Sequence, residues 1–275
     1  MPPPTFELSA NPGDNLNNTI RVENLTEAPM KVVVQKRNFT ALGEEGAVDL
    51  TEDETSFSLA SWITVSPSET EISGKGTAIF AFSTAVPLNA EPGGHFGSII
   101  FRLKSQGPEQ SGALVAQELG ALILLRVAGK AKEGASLASF RSTKKIWEKG
   151  PVEFEIRVEN EGNVHLKPTG VITITNLFGR KVASFPVDPR NVLPGAIRKS
   201  SATWDKKFLF GRYTASLALN YGSQGRVLTG ATAFIGFPYR WGGLVLLGLL
   251  ILAFFLYRAR KRIKLALKVL FGKAR

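Results

Sequence analysis

The chain has 275 residues, 44% of them hydrophobic, and no cysteine, so disulfides, thiol nucleophiles, Cys-ligated zinc and iron–sulfur clusters are excluded. Its net charge of +11 is unevenly spread: residues 1 to 133 carry −6, residues 134 to 239 carry +8 and residues 240 to 275 carry +9. A basic run beside an apolar run is a membrane signature before it is a nucleic-acid one, so no nucleic-acid partner is expected.

In chain order, MPPPTFEL has neither a basic start nor an apolar core, so it does not read as a signal peptide. Strand signals then dominate from Phe6 to Phe237. The pentapeptide IRVEN occurs at Ile20 to Asn24 and again at Ile156 to Asn160. In VEFEIRVEN, Val152, Phe154, Ile156 and Val158 alternate with charged residues, which predicts a strand with one buried and one wet face. In the first copy Ile20 and Val22 point inward by the same rule. Asn24 and Asn160 end the two runs, where a side-chain amide turns the backbone.

Each copy is followed by a polar link, a β-rich run and a Gly-x-aromatic element, Gly94-His95-Phe96 or Gly211-Arg212-Tyr213. Tyr213 is placed like the tyrosine of an immunoglobulin-type corner, whereas Phe96 has no hydroxyl and reads as core. The acidic run Glu44 to Thr55 lacks the ligand spacing of a calcium loop and reads as a solvated loop. The charged stretch Lys130 to Ser136 marks a boundary. The fold class predicted is all-β. Residues 1–133 and 134–237 form two tandem immunoglobulin-like β-sandwiches, followed by a transmembrane helix at 238–258 and a basic amphipathic tail at 259–275.

The membrane assignment rests on Trp241 to Tyr257, 17 uncharged and mostly apolar residues. Arg240, Trp241 and Tyr257 suit its two interfaces, and Arg258, Arg260, Lys261 and Arg262 open the basic tail. The expectation is a single-pass cell-membrane protein with its sandwiches extracytoplasmic, its tail cytoplasmic and a leader trimmed from its start.

No catalytic constellation emerges. The two histidines, His95 and His165, fall in different domains, and there is no Gly-x-Ser-x-Gly elbow or phosphate loop. The protein is therefore expected to be non-enzymatic and to need no cofactor or metal.

The segments FELSANPGDNLNNTIRVEN, LASWITVSPSETEISGKG and AFSTAVPLNAEPGGHFGSIIF resemble the N-terminal domain of the WxL-interacting proteins of bacterial surfaces. The matching signature includes Asn24, Trp62, Pro92, Gly93, Gly94 and Phe96, with Asn160 and Tyr213 at the corresponding places of the second module. That resemblance implies peptidoglycan binding by the first domain, and a cell-wall polymer or surface protein as partner of a membrane-held adhesion or scaffold module. It assigns no individual ligand contacts. One rival reading is a membrane-bound assembly chaperone for exported proteins, similar to pilus chaperones, which needs a cationic cleft between the domains to grip a chain terminus. The other is an accessory subunit of an envelope complex.

Overall fold

The structure, a computed structural model, describes residues 4–104 and 118–271. Nine strands build the first sandwich. They are β1 (Thr5–Ala10), β2 (Asn15–Glu23), β3 (Met30–Leu42), β4 (Ala47–Thr51), β5 (Ile63–Ser66), β6 (Glu69–Ile72), β7 (Thr77–Ala85), β8 (Gly93–Lys104) and β9 (Glu118–Val127). One sheet runs β1-β9-β8-β3-β4, with β6 also on β3, and the facing sheet runs β2-β7-β5. The first strand lies parallel to the last, Thr5 opposite Leu122 through Ala10 opposite Val127.

Eight strands build the second sandwich: β10 (Ala135–Ser142), β11 (Ile146–Trp147), β12 (Val152–Asn160), β13 (Thr169–Asn176), β14 (Lys181–Val187), β15 (Ile197–Trp204), β16 (Gly211–Tyr221) and β17 (Arg226–Gly236). They form the sheets β10-β12-β15 and β11-β17-β16-β13-β14. The two-sheet antiparallel arrangement is immunoglobulin-like.

Alternation determines each core. Val152, Phe154, Ile156 and Val158 of β12 are buried and pack with Trp204 of the neighbouring β15 and with Phe234 and Leu217 of the facing sheet. Ile20 and Val22 of β2 are buried in the first core with Phe80 and Phe82 of the neighbouring β7 and Ile123 of the facing sheet. Each fully buried large side chain contributes roughly 1.5–3 kcal/mol.

The two asparagines that close the repeated pentapeptide make the same bonds. Asn24 Nδ2 donates to the carbonyls of Ala28 (2.8 Å) and Ile72 (3.1 Å), and its Oδ1 accepts from the Thr26 amide. Asn160 Nδ2 donates to Val164 (2.8 Å) and Val192 (2.8 Å), and its Oδ1 accepts from the Gly162 amide. Both side chains are buried. Each ties the turn after its strand to a distant segment of its own domain. Tyr213 closes a comparable corner, donating from its hydroxyl to the Phe210 carbonyl at 3.1 Å while its ring is buried.

The C-terminal segment corrects the membrane expectation. One unbroken helix, α1 (Tyr239–Phe271), replaces the separate span and tail. Among the described residues no helix is long and apolar enough to cross a membrane. The uncharged run of 17 residues in α1, about 25 Å at 1.5 Å per residue, sits at the lower limit for a span, and Arg258, Arg260, Lys261 and Arg262 close it at once. The transmembrane helix at 238–258 and the single-pass topology are therefore withdrawn. Arg240 forms an ion pair with Glu148 at 3.3 Å, and Arg260 lies 4.2 Å over the Tyr257 ring. Arg258 is exposed, and the side chains of Trp241, Lys261 and Arg262 lie outside the described residues.

Replacing Asn160 by Ala strips two buried carbonyls and one amide of their partner. The loss expected is about 2–4 kcal/mol, measured by chemical denaturation. Asn24→Ala, in a less enclosed turn, is expected to lose less.

Candidate functional site: the cleft between the sandwiches

The β3–β4 hairpin tip, Leu42-Gly43-Glu44-Glu45-Gly46-Ala47, reaches from the first domain onto the second. Glu44 receives the Arg157 guanidinium through Nε at 2.6 Å and through a second bond from Nη2. The Lys199 amide donates to the Glu44 carbonyl at 2.8 Å, and the Lys199 ammonium meets Glu45 at 2.9 Å. Two turns with positive φ, at Gly43 and Gly46, let the tip bend this tightly. A Cβ on Gly46 would stand 1.4 Å from Arg198 Nη1, so glycine there is what lets the guanidinium lie on the hairpin.

Three further contacts complete the seam. Glu7 of β1 accepts from Lys167 (2.7 Å) and Asn191 (2.8 Å). The Gly94 amide donates to the Asn163 carbonyl at 2.8 Å, while Asn163 Nδ2 donates to the Pro92 carbonyl at 3.1 Å. Glu133, in the linker, is ion-paired with Arg126 at 2.7 Å and accepts from the Ser223 amide at 2.7 Å and from its hydroxyl at 2.9 Å. An apolar contact lies beneath them: Phe96 packs with Phe39 and Leu124 on its own domain, and with Leu193 and the His165 ring of the other.

The geometry relocates several signature residues. Pro92, Gly93 and Gly94, part of the N-terminal signature, form a seam where two backbones nearly touch. A Cβ on Gly93 would stand 2.8 Å from the Asn163 carbonyl oxygen. Phe96 points out of the main core and into the domain junction. Trp62 stacks on His95 at 4.4 Å, and both His95 ring nitrogens face carbonyls, of Ser58 and Glu91.

Between the hairpin and the second domain lies an open cavity of about 330 Å³. Phe39, Val48, Leu122, Leu124 and Leu193 supply its apolar lining. Glu7, Lys167, Arg190, Asn191 and Arg198 supply its polar lining. Arg190 is held by Asp188 at 2.6 Å. Among the described residues, Arg198 Nε and Asn191 Oδ1 are buried without a hydrogen-bond partner. Burial pushes the Arg198 pKa down, neighbouring Arg190 pushes the same way and Glu45 opposes them. Guanidinium nonetheless stays charged, because it is the most basic of the side chains. The cleft thus offers an unpartnered cationic donor beside an apolar pocket, which suits binding an anionic group on an apolar or extended chain. Among the described residues no group of three or more His, Cys, Asp or Glu is arranged to hold a metal.

Sequence reasoning treated Glu44 and Glu45 as solvated and Arg157 as water-facing. Their pairing spans 113 positions, so no local pattern announces it. The opposite net charges of the two domains were the available signal.

No family model matches the chain, and no curated protein matches it. Among solved structures it is similar to a chaperone–tip adhesin complex of CFA/I fimbriae, at 12% identity and a TM-score of 0.43 over 84% of this chain and 96% of that one. It is similar to the class 5 fimbriae chaperone CfaA at 11% identity and a TM-score of 0.42, covering 82% of this chain and 96% of that one. The Pseudomonas aeruginosa CupB2 chaperone follows at 11% identity and a TM-score of 0.35, covering 82% and 95%. At these values the likeness supports no functional inference.

Acid should loosen the seam. Hydrogen bonds from Arg157 hold the Glu44 carboxyl below its ordinary 4.5, outweighing burial, which opposes them. Burial pushes Glu7 up, but Lys167 and Asn191 outweigh it and leave it lowered; burial likewise raises Glu133, and Ser223 and Arg126 outweigh it. Carboxyls lowered in the folded state stabilise it above 4.5, and that contribution is lost as pH falls through their lowered values. The interdomain distance, read by energy transfer between labels in the two domains, is expected to lengthen below pH 4.5. Glu44→Gln with Glu45→Gln should reproduce the change at pH 7. An unchanged distance in both conditions would count against the latch.

Proposed function

We propose that this is a non-enzymatic polypeptide-binding protein that holds an extended segment of a partner protein across the cleft between its sandwiches, in the manner of an assembly chaperone. The observation that supports this reading is the Arg198 guanidinium, buried at Nε without a partner and set beside a cavity lined by Phe39, Val48 and Leu193. A terminal carboxylate satisfies such a donor, and the adjoining side chain fills the apolar pocket. The rest of the segment runs out along the sandwich edges, where main-chain bonding is indifferent to sequence. The charged seam serves this role by fixing the angle between the walls, so that little ordering remains to be done on binding.

Kinship with the WxL-interacting proteins is also proposed, on the N-terminal motifs. The peptidoglycan-binding role it implies, and the membrane-held scaffold role with it, have no supporting site among the described residues and are not adopted.

The test uses a ten-residue alternating Val/Thr peptide as free acid and as C-terminal amide. The free acid is expected to bind about ten-fold more tightly, a difference of about 1.4 kcal/mol. Arg198→Gln should abolish that difference. Equal affinities for acid and amide in the unaltered protein would sink the carboxylate grip. Absence of binding by either peptide, with no cross-link from a photo-reactive group placed at Ala47, would sink the cleft as a polypeptide site.

A further inference from the structure

The second sandwich has another built face, at the end opposite the cleft. Strand register places its loops together: Ser142 pairs with Phe154, Val152 with Trp204, Asn176 with Tyr213, and Gly211 with Gly236. The β10–β11, β11–β12, β13–β14 and β15–β16 connections therefore converge where β17 ends and α1 begins. These loops carry Phe178, Phe208 and Phe210, which are 82%, 66% and 65% exposed, and Phe237 and Tyr239 follow at 45% and 52%. Five lysines stand among them: Lys144, Lys145, Lys149, Lys206 and Lys207. Lys144 lies 5.0 Å over the Trp147 ring, and Lys206 lies 5.3 Å over Trp204 and 5.6 Å over Tyr213. Asp205 and Glu148 are the acids closest in sequence to these lysines, and Glu148 is engaged by Arg240.

We infer that this end of the second sandwich is a docking face for an anionic lipid headgroup layer. Exposed rings on the β13–β14 and β15–β16 loops and at the start of α1, set among lysines of the β10–β11, β11–β12 and β15–β16 loops, match a layer that is apolar just beneath a negatively charged surface. Aromatic rings enter the acyl boundary while ammonium groups stay at phosphate level. A protein partner fits less well, because lysine is depleted from protein interfaces and the exposed rings are divided among three segments with lysines between them. The contact is made by the loops and requires no part of the chain to cross the bilayer. It is independent of the cleft reading.

The cysteine-free full chain permits a clean test. An environment-sensitive fluorophore is placed at Asp205→Cys on the face, and in a control at Glu54→Cys, exposed in the first domain. Each protein is titrated with phosphatidylcholine vesicles, with or without roughly 30% phosphatidylglycerol to set the surface charge. The label at 205 is expected to shift to the blue on anionic vesicles, while the label at 54 stays in water. Lys145→Glu, Lys149→Glu and Lys207→Glu together avoid the two lysines that stack on rings. They should weaken the response at least about ten-fold. Phe208→Ser with Phe210→Ser should remove the blue shift while leaving the near-ultraviolet signal of buried Trp204 and Tyr213 intact. A label at 205 that stays in water on anionic vesicles overturns the inference. So does a shift of equal size on neutral vesicles, or one indifferent to both sets of substitutions.

Discussion

The arrangement of the molecule depends on one contact, the acidic hairpin tip of the first domain seated on the basic sheet of the second. Glu44 engages Arg157 by two hydrogen bonds, and the Lys199 amide bonds the Glu44 carbonyl. Half-exposed ion pairs contribute at most about 1 kcal/mol each, so they do not by themselves hold the domains together. The apolar contact of Phe96 with Leu193 and the His165 ring adds to them, within the roughly 1.5–3 kcal/mol that a buried phenylalanine contributes in all. Apolar contact is non-directional, however, and would tolerate several angles. The charged tip and the Gly94–Asn163 backbone bond select one of them, and the cavity lies between that tip and the second domain.

The strands were legible because alternation is a local property. Val152 to Val158 reveal their buried face from nine residues of sequence, and the repeated Asn24 and Asn160 are recognisable because two independent turns impose the same need. What a side chain meets across the domain junction was not legible. The run from Glu44 looks like any solvated acidic loop until its partners arrive more than a hundred residues later. Pro92, Gly93 and Gly94 look like a turn because tight turns and close backbone approach ask for the same residues. Gly46 carries the same ambiguity. Its positive φ suits a hairpin, yet its missing Cβ is also the space that Arg198 occupies. The C-terminal helix misled for a different reason: an uncharged run shows apolar character, but whether it crosses a bilayer also depends on length.

The charge of the second domain can now be divided by position. Arg157, Lys167 and Lys199 are matched by Glu44, Glu7 and Glu45 of the first domain, which accounts for much of why one domain is acidic and the other basic. Arg198 is the exception at that end, with its Nε buried and unpartnered among the described residues. At the far end, Lys144, Lys145, Lys149, Lys206 and Lys207 face few acids and stand beside exposed rings. A charge whose purpose was solubility alone would be spread over the surface, without regard to strand register. Here cations are spent in two places, and in each they adjoin apolar surface: the cavity wall at one end and the aromatic tips at the other. Both settings favour partners that are anionic and apolar at once, a chain terminus in the cleft and a headgroup layer at the loops. One basic sandwich can serve both because its two ends are separated by the full length of its strands.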